Sequence, residues 1–264
     1  MWHRRHLGVT LPLPRVEMRE LVGPTDLEAF DQPVGEPVFP TIDAEQYAFV
    51  FDFGCGCGRV ARKLAVAAAP MPDRYVGIDL HRGMIQWANE NLAPQLPQFS
   101  FEHHDVFNPG FNPDPQLPLA APFPVDSASV TLLIAWSVFT HLAQSQAEYY
   151  LDEVARVLRP DGVMAATWFL FDKANFPMMQ DFQNALYIND RDVTNAVIFD
   201  REWLLGALEA RDLRIRAATP PEVRGFQWMM EIVPGRGSIP LPLDDAPFGR
   251  IPPPVGSTAP HEIR

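Results

Sequence analysis

The feature that most constrains the fold of this chain is a loop of three alternate glycines that follows a short apolar segment. Residues 48–53 read AFVFDF, which is typical of a buried strand, and the next six residues read GCGCGR. Glycine adopts backbone conformations that other residues avoid, and it lets a ligand approach the main chain closely. A helix is predicted directly afterwards, over residues 59–69, with its positive end facing the loop. The sequence therefore predicts a strand, a ligand-binding loop and a helix in succession.

Strands and helices continue to alternate through the first half of the chain. The pattern predicts strands at 75–79, 99–105, 129–136 and 162–170, helices at 83–92 and 144–158, and a turn at 159–162. Six prolines predict an irregular loop over residues 108–125. This alternation predicts an α/β fold with a mostly parallel sheet and helices on both faces. In such sheets a ligand binds at the carboxyl ends of the strands, where the strand order reverses.

The second half of the chain is less regular than the first half. We predict helices at 176–188 and 201–211, the second capped by Asp200, and two final strands within 213–220 and 225–234. The domain organisation that we expect is a lead-in or cap segment (1–45), a ligand-binding domain (46–235) and a proline-rich tail (236–264). The tail shows no periodicity, so we expect an extended segment without regular structure.

Composition limits the partners and the compartment. The chain has 21 basic and 33 acidic residues, a net charge of −12, which disfavours binding to nucleic acid. The longest apolar run, near 130–136, is too short to cross a membrane. Prolines interrupt the start of the chain too early for a signal peptide. Two cysteines form no disulfide framework. We therefore expect a cytoplasmic protein that acts on a small molecule; its oligomeric state stays open.

The glycine loop departs from both common phosphate-binding patterns. A P-loop needs Gly-Lys-Ser/Thr at the start of the helix, but Gly58 is followed by Arg59. A dinucleotide-binding loop needs a third glycine where Arg59 stands. Both nucleoside triphosphates and NAD are therefore disfavoured.

Acidic residues end three successive predicted strands: Asp52, Asp79 and Asp105. A carboxylate after the second strand can accept hydrogen bonds from ribose hydroxyls. The other two could face an ammonium group and an adenine amino group. Together they suit a nucleoside that carries an amine and a positive centre but no phosphate, which describes S-adenosylmethionine better than NAD.

Five segments in this order make the chain resemble a class I S-adenosylmethionine-dependent methyltransferase. The segments are FDFGCGCGR (51–59), YVGIDL (75–80), HHD (103–105), SVTLLIAWSVFTHL (129–142) and VARVLRPDGV (154–163). The resemblance implies a Rossmann-like, seven-stranded sheet that ends in an antiparallel hairpin. It also implies S-adenosylmethionine as the cofactor and methyl transfer as the activity.

The resemblance assigns parts of the cofactor to particular residues. It places the methionine end of the cofactor at Asp52, Gly54 and Gly56, with Phe53 and Cys55 in the same loop. The ribose is expected at Asp79, and the adenine at Leu80, Asp105 and Val106. The sulfonium is expected above Ala135.

The acceptor side is less defined. His141 follows the fourth predicted strand and is our candidate for a general base that removes a proton from an acceptor hydroxyl or amine, with Asp126 second. Trp136 and Trp168 could wall the acceptor pocket or pack in the core. The expected reaction is in-line methyl transfer to an oxygen or nitrogen of a small molecule.

Two other functions and a metal site are also compatible with parts of the sequence. An NAD-dependent oxidoreductase and a non-catalytic cofactor-binding protein are the alternatives. Cys55 and Cys57 could join His103 and His104 around a metal, but the Cys-x-Cys spacing is shorter than zinc sites usually have, so no metal is predicted.

Overall fold

The computed structural model describes residues 11–23, 26–68, 70–189, 192, 194–221 and 226–241. These residues form one mixed sheet with helices packed against it. Its strands are β1 (Phe49–Phe53), β2 (Arg74–Asp79), β3 (Phe99–His103), β4 (Val130–Ala135), β5 (Leu158–Phe171), β6 (Ala185–Tyr187), β7 (Val197–Asp200), β8 (Leu213–Thr219) and β9 (Trp228–Pro234). Its helices are α1 (Val16–Leu21), α2 (Arg59–Ala67), α3 (Arg82–Asn91), α4 (Gln144–Val157) and α5 (Arg201–Glu209).

The order of the strands creates a crevice in the middle of the sheet. Strands β3, β2, β1, β4 and β5 lie side by side in that order and run parallel. The chain first builds outward from β1 to β3 and then returns to add β4 and β5 on the other side. The order therefore reverses between β1 and β4, which is where this class of sheet binds its ligands.

An antiparallel hairpin completes the seven-stranded sheet that the sequence predicts. Strand β9 pairs antiparallel with β5, and β8 pairs antiparallel with β9. The expected α/β, Rossmann-like architecture is thereby confirmed. The short strands β6 and β7 are an addition, because β7 pairs with the last three residues of β5 and β6 pairs with β7.

Both faces of the sheet are covered by helices. Because side chains alternate in direction along a strand, β1 contributes to a hydrophobic core on each face. On one face, Phe49, Phe51 and Phe53 of β1 pack in a core with Tyr150 of α4 and Leu204 of α5. On the other face, Val50 packs in a core with Leu64 of α2 and residues of α3. The central strands β1 and β4 are buried along their whole length, as expected for a parallel sheet between two helical layers.

The lead-in segment packs against the domain and does not trail away from it. Phe30 lies in a small cluster with Cys57 of the glycine loop and Met84 of α3. Arg62 of α2 is almost fully buried, forms an ion pair with Asp31, and donates a hydrogen bond to the carbonyl of Phe30 at 2.6 Å. These contacts hold the lead-in beside the glycine loop.

The predicted helix over residues 176–188 is wrong. This stretch forms turns and the short strand β6, which pairs with β7, a strand that the sequence analysis did not predict. Two of its large apolar side chains stay in solvent, since Met178 is 87% exposed and Phe182 is 76% exposed. Lys173 instead ties the turn together by donating to the carbonyl of Asp181 at 2.8 Å. A helix without a buried face gains too little to form here.

Two smaller expectations also change. The predicted turn at 159–162 lies inside β5 as an irregularity, because the pairing with β4 shifts from Val130↔Leu158 to Leu132↔Val163. The start of the predicted tail packs on the domain, since Leu241 is buried and Ile239 donates its N–H to the carbonyl of Ile215 at 3.0 Å. The remainder of the tail (242–264) and residues 1–10 lie outside the described residues.

The other predicted elements agree with the structure to within a few residues. Helix α5 begins after Asp200, whose carboxylate accepts a hydrogen bond from the N–H of Trp203 at 3.1 Å and so caps the helix as expected. In the part of the chain that the structure describes, every helix is too short or too polar to cross a membrane.

Candidate functional site

A cavity of about 520 Å³ opens at the carboxyl ends of the central strands. Its walls are the glycine loop after β1, the end of β2, residues 104–111 after β3 and residues 136–142 after β4. Residues 20–23 at the end of α1 and three residues between β6 and β7 (Asp192, Thr194 and Asn195) also line it, as do Met84 of α3, Leu119, and Gln146 and Tyr150 of α4. The cavity thus occupies the crevice created by the reversal of strand order, and its size is ordinary for a small-molecule site.

The structure brings most of the predicted site residues together around this cavity. Those that line it are Asp52, Phe53, Gly54, Cys55, Gly56, Asp79, Leu80, Val106 and His141. Because they come from four separate segments, this convergence is a property of the fold and not of any one motif.

Two of the predicted residues, Asp105 and Ala135, do not line the cavity. The Asp105 side chain is 50% exposed and accepts a hydrogen bond from Asn112 at 3.1 Å, so it faces the following loop. Ala135 is fully buried in the core with Phe139 and Trp168. It is therefore part of the packing beneath the cavity.

The glycine loop is shaped by positive backbone angles and by close neighbours. Gly54 has a φ of +79° and Gly56 has a φ of +56°. A Cβ on Gly54 would lie 2.3 Å from Val138, and one on Gly56 would lie 2.7 Å from Val22. Glycine at these positions lets the segment after β4 and the end of α1 close onto the loop.

Most N–H groups of this loop already donate hydrogen bonds within the protein. The N–H of Gly54 and the N–H of Cys55 both donate to the carbonyl of Ile78, at 2.8 and 3.0 Å. The N–H of Gly56 donates to a carboxylate oxygen of Asp79 at 2.8 Å. A loop that binds phosphate leaves such donors free for its ligand. The arrangement therefore suits a ligand without phosphate.

Asp52 lies almost completely buried at the base of the loop, on the cavity wall. Its Oδ2 accepts a hydrogen bond from the Tyr75 hydroxyl at 2.5 Å. Burial raises the pKa of Asp52 to about 7, although the bond from Tyr75 and the charge of Arg59 act to lower it. A positive group in the cavity would favour the ionised form.

Asp79 is held at the end of β2 by two backbone donors. Its Oδ2 accepts from Gly56 and its Oδ1 accepts from the N–H of His81 at 2.7 Å. Burial raises the pKa of Asp79, and these two hydrogen bonds oppose that rise. Each carboxylate oxygen has a further lone pair, so both can still accept hydrogen bonds from ligand hydroxyls.

His141 lines the outer part of the cavity and is exposed. Its Nδ1 lies 3.0 Å from the carbonyl oxygen of Thr194, in the segment between β6 and β7. A carbonyl can only accept, so Nδ1 carries the proton of the neutral ring and Nε2 keeps the lone pair. Asp126, the second candidate base, is not part of the cavity lining.

Of the two candidate tryptophans, Trp136 lines the cavity. Trp168 is fully buried and stacks on Phe139 with 4.2 Å between the ring centroids, so it packs in the core.

Two residues that line the cavity were not assigned to the site by the sequence analysis. His104 lines the cavity, and its Nε2 lies 2.8 Å from the Tyr150 hydroxyl. Burial lowers the pKa of His104 to about 4, so the ring is neutral near pH 7. Arg59, seen in the sequence only as a departure from other motifs, also lines the cavity. In the sequence, only the alternating direction of side chains along β3 could have indicated that His104 faces the site.

The parallel sheet, its reversed strand order and the acid-lined cavity define a Rossmann-like methyltransferase fold. Residues 50–162 match a family model described as a methyltransferase domain. The chain therefore carries a class I S-adenosylmethionine-dependent methyltransferase domain, as its sequence motifs predict, and its cofactor is S-adenosylmethionine. The cavity fits that cofactor, because it offers carboxylates and leaves few free N–H groups for a phosphate.

Solved structures with a similar fold include two methyltransferases and a cyclase. An S-adenosylmethionine-dependent methyltransferase from Aquifex aeolicus is 18% identical over 82% of this chain and 96% of that one, with a TM-score of 0.49. A 1,6-didemethyltoxoflavin-N1-methyltransferase from Burkholderia thailandensis, solved with 1,6-didemethyltoxoflavin and S-adenosylhomocysteine, is 19% identical over 72% of each chain, with a TM-score of 0.48. The cyclase SpnF is 20% identical over 65% of this chain, with a TM-score of 0.44, and this chain spans 53% of its length.

Among the described residues, no three His, Cys, Asp or Glu side chains cluster in a way that could hold a metal ion. Cys55 and Cys57 are buried free thiols. Burial raises the pKa of both cysteines, which favours the protonated form.

Proposed function

We propose that this protein transfers a methyl group from S-adenosylmethionine to an oxygen or nitrogen of a small molecule. The observation that supports this most is that Asp52 and Asp79 line one cavity together with a glycine loop most of whose N–H groups are already bonded. When bound, the cofactor supplies a methyl group on a sulfonium centre, which is already a good electrophile. The protein then has to hold it, align the acceptor in line with it and exclude water.

Different residues of the cavity are proposed to bind different parts of the cofactor. Asp52 pairs with the ammonium group of the cofactor, and Asp79 accepts hydrogen bonds from the ribose hydroxyls. Leu80 and Val106 provide the contacts to the adenine. The remaining loop residues, Phe53, Gly54, Cys55 and Gly56, form the wall beside the methionine end.

His141 is proposed as the general base on the acceptor side. Its Nε2 would accept the proton that the acceptor hydroxyl or amine loses, while the Thr194 carbonyl keeps Nδ1 protonated. A positioned base of this kind contributes about 10²- to 10⁴-fold to the rate. Water is excluded in part by the end of α1, which lines the cavity through residues 20–23.

The class of acceptor follows from the shape and charge of the molecule. A cavity of about 520 Å³ suits a small molecule. The net charge of −12 disfavours a nucleic acid. The two buried thiols suit a reducing compartment, and we propose a cytoplasmic location on that ground.

Isothermal titration calorimetry of the purified protein tests the cofactor, with S-adenosylmethionine, S-adenosylhomocysteine and NAD as separate titrants. We expect the two methionine nucleosides to bind and NAD to give no signal. Binding of NAD without a response to either methionine nucleoside would refute the proposal. Incubation of the protein with methyl-labelled cofactor and a metabolite extract then tests the activity. The label should enter the small-molecule fraction, and its absence there would leave only a binding protein.

A further inference from the structure

We propose that Tyr75 is a positioning residue, whose hydroxyl holds the Asp52 carboxylate in the orientation that receives the positive group of the ligand. This inference rests on the proposed function and adds to it a residue that touches no ligand. Tyr75 lies on β2 and is not part of the cavity lining. It packs in the core between the sheet and α2. Its effect on ligand binding therefore has to act through Asp52.

A short, buried hydrogen bond joins the two side chains. Tyr75 is fully buried, and Asp52 is 1% exposed. The Tyr75 hydroxyl donates to Oδ2 of Asp52 at 2.5 Å, a distance typical of a hydroxyl bonded to an ionised carboxylate. Oδ1 accepts no hydrogen bond from any residue that the structure describes. The bond thus fixes the carboxylate through one oxygen and leaves the other for a ligand.

The Tyr75 ring is held in place by its neighbours and not by Asp52. It stacks on Phe99 of β3 with 4.6 Å between the ring centroids, and the ring of Phe101 lies at 5.7 Å. Gly77 of β2 pairs with Asp52 of β1, and a Cβ on Gly77 would lie 3.0 Å from Cε1 of Tyr75. The absence of a side chain at Gly77 therefore leaves room for the ring to reach along the strand towards Asp52. Packing alone determines where the hydroxyl lies before a ligand binds.

Charged or titratable groups surround Asp52 on several sides. They come from β2, the glycine loop, α2 and the lead-in segment: Tyr75, Asp79, Cys55, Arg59 and Glu20. The partner of Asp52 on β4 is Ile134, which is uncharged. The charge of Arg59 favours the ionised carboxylate and that of Asp79 opposes it, while burial raises the pKa of Asp52 to about 7. Among the described residues only Tyr75 donates a hydrogen bond to this carboxylate, so its loss should raise the pKa of Asp52 further.

Tyr47 provides a matched control. It is 1% exposed, and its hydroxyl is bonded to the main chain of Phe39, accepting from the N–H at 3.1 Å and donating to the carbonyl at 3.2 Å. Tyr47 is not part of the cavity lining. Tyr47→Phe and Tyr75→Phe therefore remove the same atom from equally buried rings, but only Tyr75→Phe removes a bond to Asp52.

The experiment is calorimetry with S-adenosylhomocysteine at pH 7 and pH 8.5, after thermal unfolding has shown that each protein is folded. The proteins are the wild type, Tyr47→Phe, Tyr75→Phe, Asp52→Asn and the double variant Asp52→Asn/Tyr75→Phe. Tyr75→Phe should weaken binding about 10-fold at pH 7 but less than about 3-fold at pH 8.5, because the carboxylate then needs a higher pH to ionise. Tyr47→Phe should stay within about 2-fold of the wild type at both pH values. In the Asp52→Asn background, Tyr75→Phe should change the affinity by less than about 3-fold at pH 7, because the carboxylate it acts through is absent.

Other outcomes separate the possible failures. Equal weakening by Tyr75→Phe at both pH values, an equal loss in the Asp52→Asn background, or no weakening at all would overturn the assignment and leave Tyr75 as a core residue. If Tyr75→Phe alone fails to fold, Asp52→Asn should restore folding in the double variant, because it removes the carboxylate left without its donor. A double variant that stays unfolded would overturn the assignment as well. If the wild type itself does not bind S-adenosylhomocysteine, the proposed function fails together with this inference.

Discussion

We expect Asp52, the residue proposed to pair with the cofactor's ammonium group, to make cofactor binding depend on pH. Its pKa is raised to about 7 by burial, so it is largely protonated below that pH in the free protein, and only the ionised form can pair with an ammonium group. We therefore expect affinity for S-adenosylmethionine to fall about tenfold between pH 7 and pH 5.5. Calorimetry across this range measures the effect. Asp52→Asn should bind more weakly and with a flat pH profile; an equally steep profile in that variant would assign the titration to another group.

Without a ligand, the ionised Asp52 carboxylate should destabilise the folded protein. The pKa of Asp52 in the folded protein lies above its ordinary value, so its contribution to stability is fully present below about pH 4 and is lost as the pH rises through about 7. Asp52→Asn should therefore raise the melting temperature of the free protein at pH 8 by at least ~2 °C, and by less at pH 5.5. Thermal unfolding at the two pH values measures this. A variant that is less stable than the wild type at pH 8 would show that the Tyr75 hydrogen bond outweighs the cost of burying the charge.

His141 should affect the rate without affecting the cofactor. Its contact with Thr194 holds the ring but involves none of the residues proposed to bind the nucleoside. His141→Ala is expected to lower kcat by about 10²- to 10⁴-fold while the affinity for S-adenosylhomocysteine stays unchanged. Steady-state kinetics with the identified acceptor, together with calorimetry, separate the two quantities. Full activity in the variant would remove His141 from the mechanism.

At the scale of elements, the glycine loop depends on space that only glycine leaves. In Gly54→Ala the new Cβ would meet Val138 at 2.3 Å, in a backbone conformation that alanine disfavours. We expect a loss of ~1–3 kcal/mol in the free energy of unfolding, together with weaker binding of S-adenosylhomocysteine. Urea unfolding and calorimetry measure the two effects.

Gly206 in α5 is the control for that substitution. A Cβ at Gly206 has nothing within 4 Å, and the residue lies inside a helix. Gly206→Ala should therefore stabilise the protein by roughly 0.5–1 kcal/mol, with no effect on ligand binding. Equal destabilisation by both substitutions would argue against the close contact between Gly54 and Val138.

Elements that the sequence predicts well are those whose signals are local. Strand β1, the glycine loop and α2 are each determined by neighbours in the sequence, as is the cap of α5 by Asp200. Residues 176–188 were predicted as a helix because their apolar residues recur at suitable intervals. Whether such a face is buried depends on distant parts of the chain, and here Met178 and Phe182 remain exposed.

At the scale of the whole molecule, ligand binding and folding are linked, because the cavity is assembled from segments that lie far apart in the sequence. A ligand that binds only the folded state stabilises it by ~2.7 kcal/mol when its concentration is 100 times Kd. Saturation with S-adenosylhomocysteine should accordingly raise the melting temperature by roughly 5–10 °C. Thermal unfolding with and without the ligand measures the shift, and NAD at the same concentration should leave the melting temperature unchanged.

The sequence by itself determined the fold class, the methyltransferase family and the glycine loop after β1, because apolar runs, glycines and strand-end carboxylates act through local chemistry. Only the tertiary structure decided which side chains reach the cavity. It directs Asp105 outward, buries Ala135, and brings Arg59, His104 and the Thr194 carbonyl to the walls. The reason is physical: burial, charge pairing and the direction of a hydrogen bond depend on partners that the chain supplies from elsewhere, and these partners meet only when the sheet has formed.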